Sequence, residues 1–136
     1  MLKKSFTQII ERSFLKMKKG FSFELYETLF EDCFINSSRY KNGNLQLSLF
    51  GFDFKVNNIA HFADITLNQN ERRLNKDEII VDCKFKPTLI PQLKNLGIIK
   101  EQVGIFVKNN MFYPIYTIDQ AKVVEKDYCM QELVAA

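Results

Sequence analysis

The stretch RYKNGNLQLSLFGFDF, residues 39–54, contains the strongest fold signal in this sequence. Its Asn42-Gly43 pair is typical of a tight β-hairpin, since both residues tolerate the positive φ that a type I′ turn requires. Leu45, Leu47 and Leu49 follow in alternation with polar residues, which is the period of a strand with one buried face. The stretch therefore predicts a hairpin and an antiparallel sheet.

The alternation changes phase at Gly51, because the apolar residues around it have the opposite parity to the leucines before it. A one-residue shift at a glycine is typical of a β-bulge or a tight bend, since a plain continuation would turn every side chain to the wrong face. We expect such an irregularity at Gly51. The residues of opposite parity are Phe50, Phe52, Phe54 and Val56.

Arg39, Tyr40 and Lys41, just before the turn, have two interpretations. In the first, they are solvent-exposed residues next to the hairpin turn. In the second the two cations bind phosphates, the ring stacks under a base, and residues 50–54 form an RNA-binding strand. Such a strand carries a cation before its glycine, whereas Phe50 occupies that position here. The hairpin interpretation is favoured, and the three residues stay candidates for binding a macromolecule.

The whole chain divides into three predicted segments. Residues 1–20 predict an amphipathic helix, with an apolar stripe at intervals of three and four and Gly20 as its end. Residues 21–118 predict a single domain with an antiparallel sheet of about five to six strands and a short helix over residues 87–96. Residues 119–136 predict a last helix or a frayed tail. Clustered strands without regular βαβ alternation indicate an α+β fold.

The last predicted hairpin has two informative details. Lys108-Asn109-Asn110 predicts the turn between a strand over residues 103–107 and a strand over residues 111–118. Pro114 interrupts the second of these strands, and because proline cannot donate to a ladder, it predicts an edge position. Asp119 is placed to cap the helix predicted after the hairpin.

Length and composition exclude several classes of protein. At 136 residues and 46% hydrophobic content, the chain is long enough for one domain with its own core. Its apolar runs are shorter than the roughly 18 residues of a membrane span, and polar residues interrupt the N-terminal segment where a secretory signal is apolar. The three cysteines form no CxxC pair, which argues against a disulfide framework and a zinc site. We expect a cytoplasmic protein without stable membrane insertion.

The basic residues are concentrated at the N-terminus. Residues 1–20 carry six cations against one glutamate, whereas the remainder has more acidic than basic residues. The predicted helix has three interpretations: packing on the sheet with its lysines in solvent, binding a protein or nucleic acid through the cationic face, and binding a membrane surface. A loop arginine pair forms a second basic site. Besides the hairpin residues, the candidate binding residues are Lys3, Lys4, Arg12, Lys16, Lys18, Lys19, Arg72 and Arg73.

Catalysis has weak support in the sequence. His61 is the only histidine, and pairing it with Cys33 as base and nucleophile lacks a third group. Glu31-Asp32 and Asp77-Glu78 are adjacent carboxylates, whose side chains point to opposite faces of a strand. No P-loop, GxGxxG, HExxH or GxSxG motif occurs. The sequence therefore predicts a non-enzymatic protein with no catalytic residue, cofactor or metal site.

Four short motifs occur in a defined order. Tyr40-x-Asn-Gly precedes a predicted strand, Thr66-x-Asn lies in a second, Asp77-Glu precedes a third, and Leu93-x-x-x-Gly closes the short helix. Over residues 24–118 this ordered set resembles an uncharacterised family of small proteins carried by bacterial phages, plasmids and conjugative elements. The family's members are shorter, so the resemblance implies that the basic helix and the last segment are additions.

The resemblance implies a mobile-element protein in the bacterial cytoplasm that binds another macromolecule stoichiometrically. Its most specific form is an anti-CRISPR or anti-restriction protein, which inhibits a host defence complex by steric or allosteric binding. The basic N-terminal segment argues against mimicry of DNA, because mimicry needs an acidic surface. The alternative is a small DNA- or RNA-binding accessory protein that uses the cations of residues 1–20.

Overall fold

The computed structural model describes residues 20–125. The predicted N-terminal helix lies outside the described residues, as does the part of the last predicted helix beyond Glu125. The predicted middle domain, residues 21–118, falls within the described range. The N-terminal candidate binding residues that lie outside it are Lys3, Lys4, Arg12, Lys16, Lys18 and Lys19.

Strands make up 55% of the described residues and helices 9%. The α+β prediction is therefore wrong, since the domain is mostly antiparallel sheet, with one α-helix in the described range. In chain order, the elements are β1 (Phe21–Leu25), β2 (Thr28–Arg39), β3 (Leu45–Asp53), β4 (Asn58–Asp64), β5 (Glu78–Ile80), α1 (Leu89–Asn95), β6 (Ile99–Lys108), β7 (Met111–Ile118), a 3₁₀ turn (Gln120–Lys122) and β8 (Val124–Glu125).

The strands form two sheets, where the sequence predicts one. The first has the order β1-β2-β3-β4, and β8 pairs with β2 on the same edge as β1. The second has the order β5-β7-β6. The pairing of β8 with β2, where Val124 lies beside Asn36, is parallel, and the other strand pairings are antiparallel. β5 and β8 have three and two residues, and strands this short give little periodic signal.

Residues 65–67 join the two sheets. Ile65 N donates to Leu47 O of β3 (3.0 Å), and Leu67 N donates to Ile80 O of β5 (3.0 Å). Asp82 N completes the junction by donating to Ile65 O (2.8 Å). The backbone hydrogen bonds therefore continue from one sheet to the other, and side chains of both sheets share one main core.

The main core contains residues of both sheets and of α1. Leu47 of β3 and Leu89 and Leu93 of α1 are fully buried in it. The helix predicted over residues 87–96 is confirmed, and Gly97 follows it with a φ of 72°. Burial of each such leucine stabilises the fold by roughly 1.5–3 kcal/mol relative to leaving it exposed. α1 therefore covers part of the main core.

β3 is buried on both faces, which explains the change of phase at Gly51. Leu47 belongs to the main core, whereas Phe50 belongs to a second cluster on the other face. β3 keeps a regular register with β2 through Gly51, so the predicted bulge there is wrong. The irregularity is in β4, where the register skips Phe62; a Cβ on Gly51 would lie 2.6 Å from its Cε2. The second cluster comprises Phe34, Phe50, Phe52, Ile59 and Val124.

The chain after β7 continues as a 3₁₀ turn and a strand, so the helix predicted from Asp119 is wrong up to Glu125. Asp119 does act as a cap, because its side chain accepts from Ala121 N (3.0 Å), but the turn is three residues long. Val123 belongs to the main core and Val124 to the second cluster. Two adjacent β-branched residues that are buried in different clusters favour extended backbone over a helix.

β7 is the central strand of its sheet, so the edge position predicted from Pro114 is wrong. The carbonyl of Pro114 accepts from Val81 N (3.0 Å). Because proline has no N–H, it cannot return a hydrogen bond to Val81 O, and Cys83 N donates to that oxygen instead (3.0 Å). The proline is tolerated at this position because the segment opposite it leaves the ladder after Val81, and Cys83 N takes the place of the donor that proline lacks.

Candidate functional site

The hairpin between β2 and β3 is confirmed, but its turn is not type I′ at Asn42-Gly43. Gly43 N donates to Tyr40 O (2.9 Å), and Tyr40 N donates to Asn44 O (2.9 Å). Within this loop Gly43 has a positive φ, 89°, and Asn42 does not. The loop is therefore a longer one, in which a turn is followed by one left-handed residue.

The two basic loop sites predicted from the sequence are joined by side-chain amides. Asn42 Nδ2 donates to Asn70 Oδ1 (2.7 Å), and Asn44 Nδ2 donates to Asn68 Oδ1 (3.2 Å). These bonds connect residues 24 and 28 positions apart, which is why no local pattern predicts them. The structure thus brings the turn after β2 to the loop that carries Arg72-Arg73.

Two side chains just before the turn, those of Arg39 and Tyr40, are held by hydrogen bonds within the protein. The Tyr40 hydroxyl is 2.9 Å from Thr66 Oγ1, and burial of the ring raises the pKa of the phenol. Arg39 donates to the carbonyls of Gly43 and Lys76, both at 3.3 Å. The hydroxyl of Tyr40 thus ties the hairpin to the junction between the two sheets.

The loop arginines, Arg72 and Arg73, are both exposed, but the side chain of Arg72 lies against β6. The Arg72 guanidinium lies over β6, 3.1 Å from the position that a Cβ on Gly104 would take. Arg73 is exposed, as is Lys41 across the loop junction, and neither makes an ion pair with another residue of the range 20–125. Lys41 and Arg73 are therefore the predicted cations most available to a partner in the described part of the chain.

Asp64 binds two polar side chains on one face of the first sheet. Its Oδ1 accepts from Ser48 Oγ (3.1 Å) and from His61 Nε2 (2.8 Å). Activation of a serine requires the imidazole between hydroxyl and carboxylate. Here the carboxylate lies between the other two groups, so His61 is not placed to take a proton from Ser48.

Cys33 and His61 point to opposite faces of the first sheet. Cys33 pairs with Gly51, which pairs with Ala60, so the adjacent residue His61 turns to the other face. Burial, together with the charges of Asp32 and Glu31, raises the pKa of the Cys33 thiol to about 12. The thiol therefore stays protonated at neutral pH, and this geometry gives it no base.

The described residues contain neither a cluster of metal ligands nor a helix that could span a membrane. Among residues 20–125, no group of three or more His, Cys, Asp or Glu side chains is arranged to hold a metal ion. Within the same range, no helix has the length and apolar character needed to cross a bilayer.

The β6–β7 hairpin exposes a row of apolar side chains. Val103, Ile105 and Val107 of β6 are 40%, 52% and 55% exposed, and Phe112 of β7 is 66% exposed. Val107 lies directly opposite Phe112 in the register, and Ile105 lies opposite Pro114, so Ile105, Val107 and Phe112 share a face. We call Val103, Ile105, Val107 and Phe112 the apolar row.

The other face of the same hairpin is closed. Phe106 and Tyr113 lie opposite each other and are buried together with Ile80 and Ile115. Leu67, from the junction between the sheets, packs against this cluster. The hairpin is therefore a folded element with one covered face and one open face.

The apolar row is open because the hairpin extends beyond the core. Tyr116 and Ile118, on the same face of β7 as Phe112, are buried in the main core. The chain turns back only at Asn109 and Asn110, which have φ values of 51° and 63° and confirm the turn predicted there. Contiguous exposed apolar side chains of this kind mark interaction sites on folded proteins.

Comparisons with known proteins add no relative. No protein-family model matches the chain, and the searches of curated proteins and of solved structures give no match either. The resemblance to a family of mobile-element proteins therefore stays a prediction from the motifs.

The apolar row was missed by sequence reasoning, although its residues were assigned to a strand. The signal in the sequence is that β6 has apolar residues at both parities, since Ile105 and Val107 flank Phe106. A strand of this kind is expected to be covered on both faces. The pattern does not show that one face of the strand is left unpacked, because that depends on where the hairpin lies relative to the core.

Proposed function

We propose that this protein acts by binding another protein through the apolar row. The observation that carries the proposal is the open face of the β6–β7 hairpin, where the four side chains are between 40% and 66% exposed. Covering apolar surface gains roughly 25 cal/mol per Å² removed from water. A rigid two-stranded platform also loses little conformational entropy on binding, which favours affinity.

The resemblance to mobile-element proteins specifies which kind of partner we propose. We infer a stoichiometric, non-enzymatic inhibitor of a bacterial defence complex, of the anti-CRISPR or anti-restriction type, that acts in the cytoplasm of the host. Two features of the described residues support binding over catalysis. Asp64 separates His61 from Ser48, and burial keeps the Cys33 thiol protonated, since its pKa is raised to about 12.

Retention of a partner from a bacterial lysate tests the protein-binding proposal. The immobilised protein is compared with an Ile105→Thr/Phe112→Thr variant, because threonine keeps a good fit to a strand while removing apolar surface. We expect the wild type to retain a discrete protein that the variant retains at least about tenfold less, as expected for two central contacts. Mass spectrometry of the bound fraction measures the difference.

Leu29→Thr is the matched control, because Leu29 is 58% exposed but lies on β2 of the other sheet. It should retain the partner as well as the wild type does. Equal retention by the double variant, or the lack of any protein retained by the wild type, contradicts the proposal.

A phage-plating assay tests the defence-inhibitor form separately. In bacteria protected by a CRISPR or restriction system, expression of the wild type should restore plating of a targeted phage, and expression of the double variant should not. Plating that the wild type leaves unchanged in both kinds of host rejects that form. The retention experiment then still decides whether the apolar row binds a protein.

Nucleic acid is the second candidate partner, and the position of Lys41 and Arg73 across one loop junction favours it. Phosphate binding weakens steeply with salt, because every neutralised phosphate releases counterions. Binding to a labelled duplex should therefore fall by at least about tenfold between roughly 50 and 200 mM salt if this function holds. Lack of binding at the lower salt concentration rejects it.

A further inference from the structure

β6 lies at the edge of its sheet. The sheet has the order β5-β7-β6, so β7 occupies one side of β6 and no strand of residues 20–125 pairs with the other side. An edge strand offers a row of N–H and C=O groups to another strand. This edge can therefore form backbone hydrogen bonds with another extended strand.

Pro114 determines which residues of β6 present those groups. In an antiparallel ladder, a residue directs both its N–H and its C=O to the same side. The Pro114 carbonyl points to Val81, the residue after β5, so Pro114 makes no ladder bond with Ile105, the residue opposite it on β6. The backbone groups of Ile105 therefore point to the open edge, and because the pattern alternates, so do those of Val107.

Part of the edge is protected and part is not. The register of β6 with β7 is irregular between Ile99 and Gly104, and such bulges hinder pairing with another strand. From Gly104 to Lys108 the register is regular. This five-residue segment carries its single charge at its end, on Lys108, so it lacks the central charge that blocks pairing at many natural edges.

We propose that two copies of this protein pair through β6, antiparallel, about a two-fold axis at Phe106. Ile105 then lies opposite Val107 of the partner subunit, and Val107 lies opposite Ile105 of the partner subunit. Each of these two pairs exchanges two backbone hydrogen bonds, so all four bonds use groups that already point to the open edge. A second copy fits because a two-fold interface needs one self-complementary segment.

The charges at the segment ends favour this register over its neighbour. With the axis at Phe106, Lys108 lies opposite Gly104 of the partner subunit. With the axis moved to Gly104, Lys108 would lie opposite Lys100 of the partner subunit, and like charges directly opposed on strands are destabilising. The neighbouring register would also have to pair the irregular part of β6.

The pairing would complete the proposed binding face, and in this respect it rests on the proposed function. On the apolar face, Phe112 and Val107 of one subunit would continue into Ile105 and Pro114 of the partner subunit. The two open faces would thus form one surface across six strands. A partner protein would meet twice the apolar area that a single subunit offers.

Disulfide trapping tests the register. In a Cys83→Ser/Cys129→Ser background, Ile105→Cys protein and Val107→Cys protein are mixed and oxidised. Opposed residues of a hydrogen-bonded pair have Cα atoms about 5.5 Å apart, which suits a disulfide. Identical positions are diagonal neighbours at roughly 7–8 Å, which does not. We expect a cross-linked dimer in the mixture and little in either protein alone. Equal cross-linking in all three samples overturns the register.

Sedimentation equilibrium tests the pairing itself and separates it from the proposed function. Ile105→Pro removes an N–H that the β6–β7 ladder does not use, but it removes two of the four proposed intersubunit bonds, so the dimer dissociation constant should rise at least about tenfold. Ile105→Thr keeps the N–H and should leave the dimer intact. Circular dichroism verifies that both variants are folded.

Either of two results overturns the pairing: a monomer at all concentrations up to the millimolar range, or a dimer that Ile105→Pro leaves unchanged. A monomeric wild type that still loses its retained protein partner in the Ile105→Thr/Phe112→Thr variant rejects the dimer but leaves the proposed function standing. A stable dimer that retains no partner rejects the proposed function but not the pairing.

Discussion

β3 and β6 carry similar sequence patterns and have opposite environments. Leu45, Leu47 and Leu49 of β3 are at most 3% exposed, whereas Val103, Ile105 and Val107 of β6 are between 40% and 55% exposed. Both trios alternate through a strand. The difference lies in their neighbours within residues 20–125. β3 has strands on both sides and a cluster on each face, whereas β6 pairs with one strand and is covered by a cluster on one face.

The comparison shows that alternation of apolar residues identifies a strand but does not show whether other elements cover its apolar face. Stability is concentrated where both faces are packed, and an open apolar face contributes little to folding. An apolar face that folding does not need is available for binding. The proposed roles of the two regions follow from this division, with β3 stabilising the fold and β6 serving recognition.

Truncation of one residue in each region is the strongest test of that division. Leu47→Ala should lower the free energy of unfolding by about 2–5 kcal/mol, since it removes a fully buried side chain and leaves a cavity. Val107→Ala should change it by less than about 0.5 kcal/mol, since the side chain is mostly in solvent. Urea denaturation measures both. Similar losses for the two variants contradict the division.

Replacing one glycine by alanine in each region should again destabilise the protein more in β3 than in β6, by a smaller difference in the free energy of unfolding. Gly51→Ala should cost about 1–3 kcal/mol, because its Cβ would lie 2.6 Å from the Phe62 ring and 3.0 Å from the carbonyl of Asp32. Gly104→Ala on β6 should cost less than about 0.5 kcal/mol, because its Cβ would meet the mobile end of the Arg72 side chain. Thermal unfolding of the pair checks the order, and a reversed order contradicts it.

The pH dependence of stability gives a test that is confined to alkaline pH. Burial raises the pKa of Cys33 from 9.0 to about 12, so the folded state keeps the thiol proton at a pH where the unfolded chain releases it. This contribution is fully present below pH 9 and is lost as the pH rises from 9 towards 12. Denaturation midpoints of the wild type should therefore fall more steeply over that window than those of Cys33→Ala. Parallel curves contradict the burial effect.

The parts of the fold that local chemistry determines were predictable from the sequence. The turn at Asn109-Asn110 and the end of α1 at Gly97 follow from residues that tolerate positive φ. The hairpin at Asn42-Gly43 was predicted for the same reason, although its turn type was not. In contrast, Tyr26 and Glu27 form the turn between β1 and β2 at φ values of 53° and 60°, which neither residue type favours.

The parts that depend on distant contacts were not predictable. The junction at residues 65–67 exists because Ile65 and Leu67 bond to β3 and β5, which are remote in sequence. Pro114 suggested an edge strand, because nothing local shows that Cys83 replaces its missing donor. The exposure of the apolar row likewise depends on how far β7 extends beyond the core, a property of the assembled domain.

The parallel pairing of β8 has a consequence for the order of folding. Val124 pairs with Asn36 and belongs to the second cluster, while the adjacent Val123 belongs to the main core. Contacts between segments so remote in the chain slow folding, because a large loop has to close before they form. The nascent polypeptide cannot complete the two clusters until Val123 and Val124 have left the ribosome, so the domain cannot finish folding before that point.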